Sequence, residues 1–264
     1  MNDTYRYVDS SYPHLEGTLP CAREIVPELI RVIDPKSVID LGCGIGVWLS
    51  AFRERGVEDV VGVDGHWVDR ERLKIPASCF RVADLSKLYD PGRRFDLAMS
   101  LETAEHLPSE SAGILVDSLV RSAPAVFFSA AAPFVPGNLH INCQWPSYWA
   151  GLFSGRGYVF IDCTRGPFWS NPKVPWYYSQ TSLIFVERSS LANYPLLESL
   201  YAHPNVSPLD IIHPEYYLET IAHYRATGAP SELGLRDVLS SLPGLAKKAV
   251  LRRLKLLRDA RSRK

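Results

Sequence analysis

The chain has 264 residues, 46% of them hydrophobic and 22% charged, with 29 Lys and Arg against 29 Asp and Glu. Those proportions exclude a disordered, collagen-like or generally nucleic-acid-coating chain. The zero net charge hides a division: residues 245–264 hold nine basic groups and a single acid, Asp259, so a +8 tail balances a −8 body.

Residues 1–20 read as an arm, and its Tyr5, Tyr7 and Tyr12 suit either a lid over a bound ligand or a docked segment. No basic segment followed by an apolar run marks a signal peptide there. Residues 21–33 place Ile25, Leu29 and Val32 at helical spacing, and Asp34-Pro35 stops the helix. Strands are predicted at 37–42, 59–65, 78–85, 94–102, 125–131, 158–163 and 181–188, with helices after Gly46 and over 109–121. Strands alternating with helices predict an α/β fold, a Rossmann-like, doubly wound, mostly parallel seven-stranded sheet over residues 21–188. A Pro-punctuated helical appendage follows over 189–244, and then the tail at 245–264. The longest apolar stretch, 125–135, is interrupted by Ser129 and Pro133 and is too short for a membrane span. Cys21, Cys43, Cys79, Cys143 and Cys163 are odd in number and scattered, which indicates neither a disulfide framework nor a thiol zinc site. A reducing cytoplasm is the simplest setting.

The first strand runs into Asp40-Leu41-Gly42-Cys43-Gly44-Ile45-Gly46, a D-x-G-x-G-x-G turn. Glycines there let the backbone turn sharply and approach a ligand where a Cβ would collide. The dinucleotide fingerprint G-x-G-x-x-G fails in both registers, ending on Val47 or on Leu49, which disfavours a nicotinamide cofactor. The second strand ends in Asp64-Gly65, where an acid suits two ribose hydroxyls. The third ends in Asp84-Leu85, an acid for an adenine amino group beside an apolar wall. Turn and acids should meet at the carboxyl edge of the sheet, where open α/β sheets bind ligands. The plainer account is a tight turn and two helix caps.

In VIDLGCGIG, VVGVDG, VADL and FDLAMSLETAEHL the chain resembles the class I S-adenosylmethionine-dependent methyltransferases, over roughly residues 21–188. The resemblance implies S-adenosyl-L-methionine as cofactor and a methyl transferase activity. It brings Asp40, Gly42, Cys43, Gly44 and Gly46 to the methionine part. Asp64 and Gly65 would hold the ribose, Asp84 and Leu85 the adenine, and Ser100-Leu101 would run beneath the methionine.

Methyl transfer asks the protein to align two reactants and exclude water, with a general base where the acceptor is a hydroxyl. Glu102, Glu105, His106 and His140 are the candidate bases, His140 foremost; loop hydrogen bonding is the alternative for Glu105 and His106. Glu102-x-x-Glu105-His106 is not the H-E-x-x-H spacing of a zinc protease, so no metal is expected. After the fifth strand, the stretch 133–149 joins His140, Asn142 and Gln144 to Trp145 and Trp149. Long polar loops with aromatic side chains suit a sugar or another polyhydroxylated acceptor, and the tryptophans alternatively pack the loop. Trp169 and the Trp176-Tyr177-Tyr178 run could close the site.

Val250, Leu254 and Leu257 fall at helical spacing beside Lys248, Arg252 and Lys255. A basic amphipathic helix of this kind suits either an anionic membrane surface or an acidic protein face, and no nucleic acid is expected. The reading is a methyltransferase for a small, polyhydroxylated acceptor, cytoplasmic or peripheral at the inner membrane face. A non-catalytic cofactor-binding module, acting as regulator or scaffold, is the alternative.

Overall fold

The computed structural model describes residues 12–135, 137, 139–202 and 208–227. Tyr5, Tyr7 and the basic segment 245–264 lie outside the described residues. The chain divides into two compact units at the His213/Pro214 junction.

The first unit begins with α1 (Tyr12–Glu16) and α2 (Leu19–Ile33). Helix α2 buries Cys21, Ile25, Leu29 and Val32 along one stripe, and ends as Asp34 turns left-handed before Pro35. Strand β1 (Ser37–Leu41) follows, then α3 (Val47–Arg53), β2 (Asp59–Asp64) and the short β3 (Phe80–Val82). Next come β4 (Leu97–Leu101), α4 (Ala112–Ser122), β5 (Ala125–Ser129), α5 (Pro146–Ser154) and β6 (Tyr158–Ile161). Two short helices, α6 (Arg165–Phe168) and α7 (Trp176–Thr181), lead into β7 (Leu183–Glu187), and α8 (Pro195–Ala202) follows. In the second unit the described residues form α9 (Pro214–Thr227).

All seven predicted strands form, in the order β3-β2-β1-β4-β5-β7-β6. Every pairing from β3 to β5 is parallel, while β7 runs antiparallel to both β5 and β6. The strand expected over 78–85 shortens to three residues, because β3 is an edge that pairs with β2 only over Gly62–Asp64.

Strands β1, β4 and β5 are buried along their whole length, as sheets covered on both faces require. On one face, Val38, Leu97 and Phe127 pack under α2, α3 and α7. On the other, Ile39, Val126 and Phe185 pack under α4 and α5. Here lies a correction. Trp149, expected on the acceptor surface, sits on the inner side of α5 at 2% exposure, against Phe128 at 5.1 Å between ring centres. Helical spacing puts it with Phe153, which stacks on Phe185 at 4.0 Å. Among the described residues no helix is long and apolar enough to cross a membrane.

Trp149→Ala should therefore act on the fold. The loss expected is about 3–5 kcal/mol of unfolding free energy, the range for emptying a large aromatic site in a core. Urea titration checks this; an unchanged midpoint would return Trp149 to the surface.

Candidate active site

Parallel strands deliver their carboxyl ends to one edge, and the chemistry-bearing residues gather there. The turn after β1 is tied down by its own amides: Gly42 N–H and Cys43 N–H both donate to the Val63 carbonyl, at 2.8 and 3.2 Å. At the end of β2, Asp64 receives Gly44 N–H on Oδ2 at 2.7 Å and Gly65 N–H on Oδ1 at 2.6 Å. The second strand's acid thus clamps the first strand's turn. Gly42 sits at φ +95°, and a Cβ there would overlap the Thr103 side chain, so no other residue fits.

Two cavities open at this edge. The larger, about 490 Å³, has Asp40, Gly42, Cys43 and Gly44 on one wall and Leu101, Glu102, Glu105, His106 and His140 on another. Trp48, Tyr177 and Tyr178 add aromatic faces, and α1–α2 contributes His14, Leu15 and Thr18. The smaller, about 80 Å³, is bounded by Asp64, Gly65, Asp84 and Leu85. Glu102 and His106 form part of both walls.

The electrostatics are one-sided. Five carboxylates line these walls, and among the described residues no Lys or Arg does. Asp40 is buried with Oδ1 lacking a hydrogen-bond partner, and burial, reinforced by the Asp64 charge, pushes its carboxyl up to about 7. Glu105 is fully buried, its carboxylate beside the Glu102 carboxyl and the peptide N–H groups of Glu105 and Ala131, and Glu102 Oε1 is shut from solvent. Burial drives both glutamates up, and the neighbouring Glu102 charge drives Glu105 further. Glu102 also holds a left-handed backbone, φ +49°, with its N–H donated to Ser129 O at 3.1 Å. For a non-glycine residue that conformation costs about 1–2 kcal/mol, and it sets the carboxylate at the cavity wall.

His106 and His140 meet edge to face, 4.9 Å between ring centres. His106 Nδ1 lies 3.3 Å from the Leu139 carbonyl and His140 Nδ1 lies 3.2 Å from that of Val135. A carbonyl only accepts, so each Nδ1 carries the proton. Burial holds His106 down near 4, with His140 adding to the effect, and burial lowers His140 as well. Both rings are neutral at pH 7, with Nε2 as the lone-pair nitrogen. Gly137 makes room for this, since a Cβ there would overlap the His140 ring. Burial pushes the phenols of Tyr177 and Tyr178 and the Cys21 and Cys43 thiols up, so none of them is an anion at neutral pH.

The expected site residues divide accordingly. Asp40, Gly42, Cys43, Gly44, Leu101, Glu102, His106 and His140 meet around the larger cavity; Asp64, Gly65, Asp84 and Leu85 meet around the smaller. Asp84 also accepts from Ser86 N–H and Oγ–H, capping its own turn. Several others do not reach a wall. Gly46 starts α3 and lies against Ile75, where a Cβ would come within 2.9 Å. Ser100 is fully buried inside β4. Asn142 donates to the Ala104 carbonyl and receives Gln144 Nε2–H, so these two amides tie the loop to the 104–106 turn. Trp145 caps α5, and Trp169 packs on His213 at 4.5 Å while its carbonyl accepts from His213 Nε2. Of the expected acceptor contacts only His140 faces a cavity. Trp48 is the missed residue with a readable signal, being two residues beyond the glycine turn; His14, Leu15, Thr18 and Val135 carry none.

Residues 20–127 match the family model described as a methyltransferase domain. A ubiquinone biosynthesis O-methyltransferase of Rhodopseudomonas palustris (strain BisB5) is 25% identical over 187 residues, 64% of this chain and 66% of that protein. A protein of the same description from Neisseria meningitidis serogroup C (strain 053442) is 30% identical over 117 residues, 40% of this chain and 48% of its own. The chain spans just under two thirds of the first relative's length and about half of the second's. Among solved structures, a sugar N-methyltransferase from Streptoalloteichus sp. ATCC 53650 shares the fold. Its TM-score is 0.53 at 15% identity, over 71% of this chain and 96% of that one.

Asp40 generates a stability prediction. A folded-state carboxyl near 7, against an ordinary value of 3.8, contributes stability that is present at low pH and lost as pH rises to about 7. Asp40→Asn removes that loss. In urea unfolding without ligand, the variant should exceed the parent at pH 8 by up to roughly 4 kcal/mol, and the gap should close towards pH 4. A pH-independent difference would contradict the assignment.

Proposed function

We propose that this chain, which carries a class I S-adenosylmethionine-dependent methyltransferase domain, methylates a hydroxyl of a small acceptor held in the larger cavity. Binding of S-adenosylmethionine or its demethylated product is typical of the family. The observation that carries the reading is the row of buried carboxylates at the carboxyl ends of β1, β2 and β4, with no Lys or Arg beside them among the described residues. Such a wall repels phosphates and favours a ligand bearing an ammonium and a sulfonium.

The residues present fit that cofactor. The partnerless Asp40 Oδ1 beside Gly42 and Gly44 suits the amino acid end. Asp64, at the end of β2 beside Gly65, suits a ribose, and Leu85 is the buried wall for adenine with Asp84 at its margin. When bound, the cofactor supplies an electrophilic methyl group on sulfur. The chain's part is to align, dehydrate and accept a proton. Trp48, Tyr177 and Tyr178 flank the larger cavity and exclude water from it. His140 and His106, fixed as neutral Nδ1–H tautomers, hold Nε2 lone pairs to receive a hydroxyl proton. The cavity volume, about 490 Å³, suits a small molecule. The name of the curated relatives, an O-methyltransferase, supports a hydroxyl acceptor, and a polyhydroxylated one suits the polar wall.

Calorimetry with S-adenosylmethionine and its demethylated product tests the cofactor, with NAD as the contrast. The sulfur ligands should bind and NAD should give no heat; the reverse would overturn the reading. Asp64→Ala should weaken both sulfur ligands at least tenfold. An ammonium partner needs Asp40 ionised, so affinity should fall from pH 8 to pH 6, by up to about tenfold per unit below the Asp40 titration. In Asp40→Asn the affinity should be weak and flat with pH. Transfer of a labelled methyl group into a fractionated extract, with mass spectrometry of the product, identifies the acceptor.

A further inference from the structure

We propose that Glu102, Glu105, His106 and His140 form a binding site for one divalent first-row transition-metal cation, open on the side of the acceptor cavity. It rests on the methyltransferase reading only for the identity of the molecule that meets the cation.

The geometry comes first. One ligand atom from each of Glu105, His106 and His140 lies within 4.8 Å of the other two. Donors on an octahedral ion are separated by roughly 3 to 4 Å, so modest side-chain rotation closes the set. The ligands come from two segments 34 positions apart that the backbone already holds together. Ile141 N–H and Asn142 N–H both donate to the Glu105 carbonyl, at 2.9 and 3.0 Å. Asn142 and Gln144 belong to this clamp, which is why they face the turn and not the acceptor.

Tautomer and charge are set for a cation as well. Metal-bound histidines characteristically donate their other ring N–H to a carbonyl or carboxylate. Both rings do so here, through Nδ1 to Leu139 and Val135, which leaves Nε2 as the ligand atom in each. Glu105 is 0% exposed, and its carboxylate meets the peptide N–H groups of Glu105 and Ala131 and the carboxyl of Glu102, none of them a cation. A buried carboxylate pressed against a second carboxyl is costly, and among the described residues no Lys or Arg lines the cavity to offset it. A bound cation removes the cost. Glu102, three residues earlier, adds a second carboxylate oxygen to the same wall. Two imidazoles with carboxylates select manganese, iron, cobalt or zinc over the all-oxygen preference of calcium and magnesium.

All four side chains border the larger cavity, so the cation's remaining positions face the acceptor. A hydroxyl bound there becomes more acidic and loses its proton to solvent, so His140 then acts as a ligand and not as the base. The hydroxyl oxygen's lone pair forms the new C–O bond, and the electron pair of the broken C–S bond stays on sulfur.

The test uses the full chain, stripped with a chelator and titrated with Co²⁺, read by its visible absorption, with cofactor binding measured in parallel by calorimetry. One Co²⁺ per chain is expected. Binding should weaken at least 100-fold in His140→Ala and in Glu105→Gln, while affinity for the demethylated cofactor stays within about twofold. Melting without metal separates a lost site from a lost fold: Co²⁺ should raise the midpoint of the parent and not that of folded His140→Ala. A chain that binds the sulfur cofactor but no Co²⁺, or a His140→Ala chain that binds Co²⁺ normally, overturns the metal site. Co²⁺ binding that depends on His140 in a chain without cofactor affinity would uphold the site and overturn the methyltransferase reading.

Discussion

Four acids, Asp40, Asp64, Glu102 and Glu105, are taken largely out of water around two neighbouring cavities, with no Lys or Arg among the described lining residues. Everything else at the sheet edge follows from how that burden is carried. Asp64 is partnered by peptide N–H groups, which cost nothing in net charge and fix the glycine turn at the same time. Asp40 lacks such relief, Glu105 faces the Glu102 charge, and both sit with raised affinities for protons. A protein that keeps acids in that state is more stable without their charges. The cost is offset when a cation arrives, so ligand binding and local stability rise together.

The sheet makes this arrangement possible. Its parallel half sends β1, β2 and β4 out at one edge, so acids distant in sequence become neighbours without any long-range sequence signal. The loop after β5 then crosses to the turn after β4. Two N–H groups on one carbonyl and a buried asparagine amide hold it there. The polar residues of that loop are consumed in positioning a single histidine.

How much of this was legible follows from the range of each signal. The seven strands and the glycine turn are local patterns, and they were read nearly in place. The 3.6-residue period also marked α2, because its burial is a single stripe. Loop side chains were read less well. Trp149 and Trp145 look alike in sequence, yet only helical phase inside α5 puts the first in the core. Asn142 and Gln144 have the chemistry of acceptor ligands, but their hydrogen bonds are spent on the backbone of another turn. Glu105, His106 and His140 stand out singly as candidate bases, but their spacing matches no local metal motif, and the cluster exists only once two loops meet. The left-handed Glu102 carries no mark at all, since glutamate is not a residue that announces positive φ.

The insertion of β7 between β5 and β6 bears on how the molecule is made. During synthesis β5 emerges with an apolar, fully buried run, Ala125–Phe128, whose outer neighbour begins 55 residues after Phe128. Strand β6 also has no sheet partner until β7 arrives, for it pairs with nothing else. A ribosome-bound chain of about 180 residues therefore shows an open, hydrophobic edge of the kind that recruits other strands. The last strand among the described residues is an interior one, and the cavity's Tyr177–Tyr178 wall comes with it. The sheet is sealed and the site walled in the same late step, so no shorter nascent chain holds a finished binding site.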